Sequence, residues 1–144
     1  NTIPWDSKAA GLYMICTLSK HEAEQLGYSE SLMLDHEGNV AESTSANVFF
    51  KDKNGELHTP IPDSFLNGIT RQTVIEIAKS KNINVHERKI SPKELSNFTG
   101  CFLTGTAAEI TPVSEILDHK FKVCDVILDL SSSYGKLVRK KKAA

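Results

Sequence analysis

The residues best placed to do chemistry lie in four short stretches. In "TGTAAEITP", Thr104 to Pro112, threonines, a glycine and alanines follow the apolar stretch Cys101–Leu103. Small residues let main-chain N–H groups approach a guest closely, and a threonine hydroxyl adds a donor, so the stretch suits an anion. In "LNGITR", Leu66 to Arg71, Gly68 leads straight into an amphipathic pattern. The first N–H groups of a helix have no internal partner and carry the positive end of its dipole, so this start can hold a phosphate, with the Thr70 hydroxyl beside it. An ordinary helix start reads the same way, and the P-loop pattern GxxxxGKS/T is absent. Glu42 ends a strand before Ser43-Thr44-Ser45. It is either a solvated hairpin residue or a carboxylate facing a cation in a pocket. Lys8, in "SKAAG", has small residues after it that leave room for a bulky partner at its amine, although most lysines are surface charges. Two anion nests in one small domain suggest a ligand with more than one anionic group.

Other chemistries find little support. The five histidines, His21, His36, His58, His86 and His119, show no HExxH or clustered Cys/His spacing, so no metal site is expected. The serine-hydrolase elbow GxSxG is absent. Three cysteines, Cys16, Cys101 and Cys124, lie far apart without a CxxC. An odd number of scattered thiols fits a reducing cytoplasm, and apolar neighbours suggest that each is buried and inert. Asn97-Phe98-Thr99 is read as a chance sequon. A formal net charge of −1 argues against nucleic acid as a partner, and no apolar run is long enough to span a bilayer. The basic run Lys136–Lys142 reads as a solvated helix end whose cations suit the dipole.

These residues need elements to hold them. The chain has 144 residues, 40% of them hydrophobic, enough for the core of one domain, 1–144. Leu12, Ile15, Cys16, Ser19, Ala23 and Leu26 recur at helical spacing, and Gly27 closes that helix. Segments 31–35 and 39–42 flank His36-Glu37-Gly38, and segments 47–52 and 56–59 flank Lys53-Asn54-Gly55; both read as hairpins. After Pro60 and Pro62, Gly68 opens a helix that fades near Asn82. Residues 84–90 alternate like a strand. Ser91-Pro92-Lys93-Glu94 reads as a capped helix start. Short strands are expected at 101–104 and 113–116, and a final helix runs from Val123 to Val138. Hairpins dominate the middle, so the expected fold is α+β: a mixed, mostly antiparallel sheet with surrounding helices, not a doubly wound βαβ sheet.

Taken in order, "SKAAGLYM", "GYSESLMLDHEGNVAESTSANVFF", "LHTPIPDSFLNGITRQTVIEIAK" and "CFLTGTAAEITPV" resemble the C-terminal domain of fold-type IV, pyridoxal-phosphate-dependent aminotransferases. The resemblance covers nearly the whole chain and is closest to the branched-chain amino-acid aminotransferases. It implies a pseudo-barrel sheet and pyridoxal 5′-phosphate as cofactor. It also implies that Lys8 forms the Schiff base and shuttles the substrate proton, and that Tyr13 hydrogen-bonds the cofactor's phenolic oxygen. Glu42 would face the pyridine nitrogen, with Asn47 in support. Leu66 would pack on the ring, Gly68, Ile69, Thr70 and Thr106 would hold the phosphate, and Thr106, Ala107 and Ala108 would take the substrate carboxylate. The implied reaction moves an amino group from leucine, isoleucine or valine to 2-oxoglutarate, in a homodimer or higher homo-oligomer. A D-amino-acid transaminase or an aminodeoxychorismate lyase shares much of this pattern, and a non-catalytic isolated domain is a rival of another class. The family's N-terminal domain precedes the lysine, whereas here seven residues do, and the chain starts with Asn. The expectation is therefore a cofactor domain without its companion.

Overall fold

A computed structural model describes residues 4–139; Lys140–Lys142 of the basic run lie outside them. The first helix begins as a 3-10 turn at Ala10–Tyr13 and continues as α1, Met14–Gln25, closed by Gly27 at φ 86°. Strands β1 (Leu32–Leu34) and β2 (Val40–Ser43) form an antiparallel ribbon. β3 (Asn47–Asp52) and β4 (Leu57–Thr59) form the second hairpin. Both turns use one device. Asp35 Oδ1 accepts the N–H groups of Glu37 and Asn39 at 2.9 and 2.8 Å, and Asp52 Oδ1 accepts those of Asn54 and Glu56, both at 2.9 Å. Gly38 and Gly55 then supply the positive φ, 82° and 90°, that each turn needs.

Helix α2 (Ile69–Ser80) follows the proline loop and leads to β5 (Val85–Glu87), which pairs parallel with β4. One βαβ unit therefore stands in an otherwise antiparallel sheet, because parallel neighbours require a crossover. The capping box at Ser91 forms, with Glu94 Oε1 2.9 Å from the Ser91 N–H, yet only a 3-10 segment, Pro92–Asn97, follows. Leu95 is its one buried side chain, too little packing to extend a helix. β6 (Phe98–Gly105) is longer than the expected strand, since it pairs along the whole of β3. β7 (Glu109–Pro112) returns antiparallel to it, so part of the stretch read as a turn is strand. β8 (Glu115–Ile116) and β9 (His119–Lys120) make a small ribbon, and α3 (Asp125–Val138) completes the described chain.

The main sheet has the order β5-β4-β3-β6-β7. Its centre, Asn47 to Phe50, is buried on both faces. Phe49 stacks on Phe102 at 5.0 Å on the side covered by α2 and α3; Phe50 stacks on Phe98 at 4.9 Å on the other. Two apolar cores thus clamp β3 and β6, and these strands carry the candidate residues at their ends. Helix α1 is different. Ala23 is its only buried residue, while Met14, Ile15, Leu18 and Leu26 are 61–74% exposed.

Candidate functional site

Glu42 lies in the β2 strand that leads into the core, between buried Ala41 and buried Ser43. Its carboxylate is half-buried in a cleft of about 250 Å³ that Lys8, Tyr13, Cys16 and Leu66 also line. Burial lifts its pKa from the ordinary 4.5 to about 7, against the pull of the Lys8 ammonium. Lys8 is exposed, with φ at 22°, a region that residues other than glycine seldom enter. The cleft therefore brings together four of the residues read from the sequence: an amine, a phenol, a carboxylate poised near neutrality and an apolar side chain.

The second group gathers at the start of α2. No side chain caps this helix and its first turn holds no acidic residue, so its free N–H groups remain open to an anion. Ile69 is 84% exposed there. Thr70 differs from expectation in one respect. It is buried, and its hydroxyl lies 3.3 Å from the Tyr134 hydroxyl, so its main chain, not its side chain, is left for a guest at the helix start. Arg71 fixes the helix from inside. It is 1% exposed, and its guanidinium donates to Asn67 Oδ1, the Pro60 carbonyl and Glu87 at 2.8–2.9 Å. This cation ties the 60–67 loop to the helix it precedes.

Asn47 joins the two groups. Its Nδ2 donates to Glu42 Oε2 at 3.1 Å and to the Leu66 carbonyl at 2.9 Å, and its Oδ1 accepts the Gly68 N–H at 3.1 Å. Gly68 is required by this approach: a Cβ there would lie 2.4 Å from Asn47 Oδ1. The third group, Thr106, Ala107 and Ala108, forms the turn between β6 and β7 and does not line the cleft. The sheet register carries it to the same end, since Asn47 pairs with Thr104, and a Cβ on Gly105 would meet Ala46 Cβ at 3.4 Å. Thr106 and Ala107 are exposed. Glu109 closes the turn at φ 47° and accepts from Arg139 Nη2 at 2.5 Å, which ties the turn to the end of α3. The Thr104 hydroxyl is buried at this end without a hydrogen-bond partner among the described residues.

Sequence reasoning gave Asn47 only a supporting part and missed Arg71. Asn47 was visible as a polar residue inside the apolar run "ANVFF", and a buried amide must find partners. Arg71 gave no such signal, because a cation on an amphipathic helix is usually solvated. Two of the three thiols also differ from expectation. Cys101 is buried and its pKa is pushed far up by desolvation, whereas Cys16 and Cys124 are half-buried. Burial, Glu42 and Glu30 raise the pKa of Cys16 in the cleft wall. The scattered histidines also come partly together. Parallel pairing sets His58 against His86, stacked at 4.9 Å, beside Asp52 and Glu56. These groups hydrogen-bond one another, His58 to Asp52 at 3.4 Å and His86 to Glu56 at 3.0 Å.

Comparison with known proteins bears on this arrangement. Residues 5–116 match the family model described as amino-transferase class IV. The chain is 46% identical to a probable branched-chain-amino-acid aminotransferase of Rickettsia felis, over 96% of this chain and 49% of that protein. It is 41% identical to the corresponding protein of Aquifex aeolicus, over 98% of this chain and 47% of that one. Among solved structures, it resembles the branched-chain aminotransferase of Thermoproteus uzoniensis with norvaline (TM-score 0.92, 37% identity, covering 98% of this chain and 48% of that one). It also resembles the branched-chain amino acid aminotransferase of Thermobaculum terrenum in PLP-form, the holo-form (TM-score 0.90, 37% identity, covering 95% of this chain and 46% of that one). The chain spans about half the length of the curated relatives it matches. With the family model covering most of its length, the chain belongs to the class IV aminotransferases.

Proposed function

We propose that this chain is the pyridoxal 5′-phosphate-binding, C-terminal half of a cytoplasmic branched-chain amino-acid aminotransferase. One observation carries the reading: Lys8, Tyr13, Glu42 and Leu66 line a single cleft, and Asn47 ties that cleft to an uncapped helix start. The donor set fits the cofactor. An amine suits its aldehyde, a half-buried carboxylate suits a pyridinium, and free helix N–H groups suit its phosphate. When bound, the cofactor's protonated ring withdraws electrons from the bonds around the substrate α-carbon.

The chain's own residues supply the rest. Glu42, when ionised, would hold a proton on the cofactor's ring nitrogen. Tyr13 would orient the ring by hydrogen-bonding its phenolic oxygen, and Leu66 would pack on it. Ile69, Thr70 and Thr106 would hold the phosphate, chiefly through main-chain N–H groups, with Gly68 just before them giving its own N–H to Asn47 Oδ1. Thr106, Ala107 and Ala108 meet the substrate carboxylate. Lys8 Nζ would accept the substrate α-proton and serve as the base that carries it during the transfer. The substrates are leucine, isoleucine or valine as donor and 2-oxoglutarate as acceptor, and the intact enzyme is a homo-oligomer whose other domain completes the pocket.

The reading is tested by titrating the chain with pyridoxal phosphate and following visible absorption. A saturable band that inorganic phosphate competes away, and that Lys8→Ala loses, supports it. A band of equal strength in the Lys8→Ala variant contradicts it.

A further inference from the structure

Asn47 is 4% exposed, and every partner of its amide is fixed in kind. The Leu66 carbonyl only accepts and the Gly68 N–H only donates, so Nδ2 and Oδ1 cannot exchange places. Nδ2 therefore also points its second hydrogen at Glu42 Oε2. That bond is stronger to a carboxylate than to a neutral carboxyl group. Withdrawing charge through Nδ2–H polarises the amide, and a more negative Oδ1 binds the Gly68 N–H more tightly. We infer that Asn47 is a positioning residue that couples the protonation state of Glu42 to the start of helix α2.

The coupling has a direction. Ionised Glu42 tightens both bonds and draws the Gly68 end of α2 toward the sheet. Protonated Glu42 loosens them. Coupling between sites is reciprocal, so an anion seated on the first turn of α2 favours the ionised carboxylate in return. The value of this relay for binding the cofactor rests on the function proposed above, since there the carboxylate and the helix start hold opposite ends of one molecule. The other titratable groups lining the cleft with Glu42 are Lys8 and Tyr13 from the segment running into α1, Cys16 from α1 itself, and Asp35 from the loop after β1; Arg71 lies one turn beyond Gly68. None of them hydrogen-bonds Asn47 among the described residues. Only glycine admits this approach, because a Cβ on residue 68 would lie 2.4 Å from Asn47 Oδ1.

The test uses the cofactor-free chain and nuclear magnetic resonance. The Glu42 side-chain carboxyl carbon and the Gly68 amide are followed from pH 5 to 9. The expected result is one shared midpoint, near the value of about 7 that burial gives Glu42. In Glu42→Gln the Gly68 amide should no longer titrate, an arm that leaves Asn47 untouched. In Asn47→Ala the Glu42 midpoint should rise, and affinity for pyridoxal phosphate should fall roughly ten-fold or more, as expected for loss of a bond to a charged group. A Gly68 amide that is flat in the native chain, or that still titrates in Glu42→Gln, overturns the relay. Shared titration in a native chain that binds no pyridoxal phosphate supports the relay and overturns the cofactor reading instead.

Discussion

Glu42 makes the clearest prediction at the scale of one residue. Its folded pKa, about 7, lies above the ordinary 4.5 because burial penalises the charge. The folded chain therefore holds a proton that the unfolded chain has lost. Stability falls as pH rises from about 4.5 to about 7 and is level above, a loss on the order of 3 kcal/mol from this group. Glu42→Gln should remove that slope and leave the cofactor-free chain more stable near pH 8, as read by denaturant unfolding at several pH values. An unchanged slope would show that the carboxylate is solvated. Gly68 gives a second prediction. A methyl group there meets Asn47 Oδ1 at 2.4 Å, so Gly68→Ala should destabilise by about 1–3 kcal/mol. The chemistry of Lys8, Glu42 and Gly68 was legible as residue type and neighbours. The partnership of Asn47 was not, because Leu66 and Gly68 lie about twenty residues away and only the fold brings them to its amide.

Among elements, α2 and its loop depend on Arg71. The buried guanidinium satisfies Asn67, Pro60 and Glu87 at once, so Arg71→Ala, which leaves a cavity and unpaired acceptors, should cost about 2–4 kcal/mol and loosen the 60–67 loop. Thermal unfolding and amide exchange of residues 60–71 would show both effects; a loss confined to stability would separate the loop from the helix. α1 predicts the opposite. With Ala23 its one buried residue and Leu18 61% exposed, Leu18→Ala should change stability by less than about 0.5 kcal/mol. The sequence showed α1 through periodicity and Gly27, and it showed both hairpins through their glycines. It did not show β7 or the parallel β4–β5 pair. β7 hides in small and polar residues that read as a turn, and the parallel pair depends on a crossover that local patterns do not record.

At the scale of the whole molecule, two cores hold the central strands while one end of the sheet presents a carboxylate, a helix start and a small-residue turn. The domain class was readable because two hairpin signals filled the middle of the chain, with helix signals around them. The placing of Glu42, Gly68 and the Thr106 turn toward one end of the sheet was not, since it follows from the register of β3 on β6 and from the bonds of Asn47 to Glu42 and Gly68. The four sequence blocks in their order, not their spacing, carried the functional reading, and class IV membership agrees with it. The central claim is that the cleft at Lys8 receives the cofactor's aldehyde. The most direct measurement adds pyridoxal phosphate to the chain, reduces with borohydride and maps the modified peptide by mass spectrometry. The account predicts one adduct, on Lys8, abolished in Lys8→Ala. Labelling spread over surface lysines, or unchanged in total when Lys8 is removed, would contradict it.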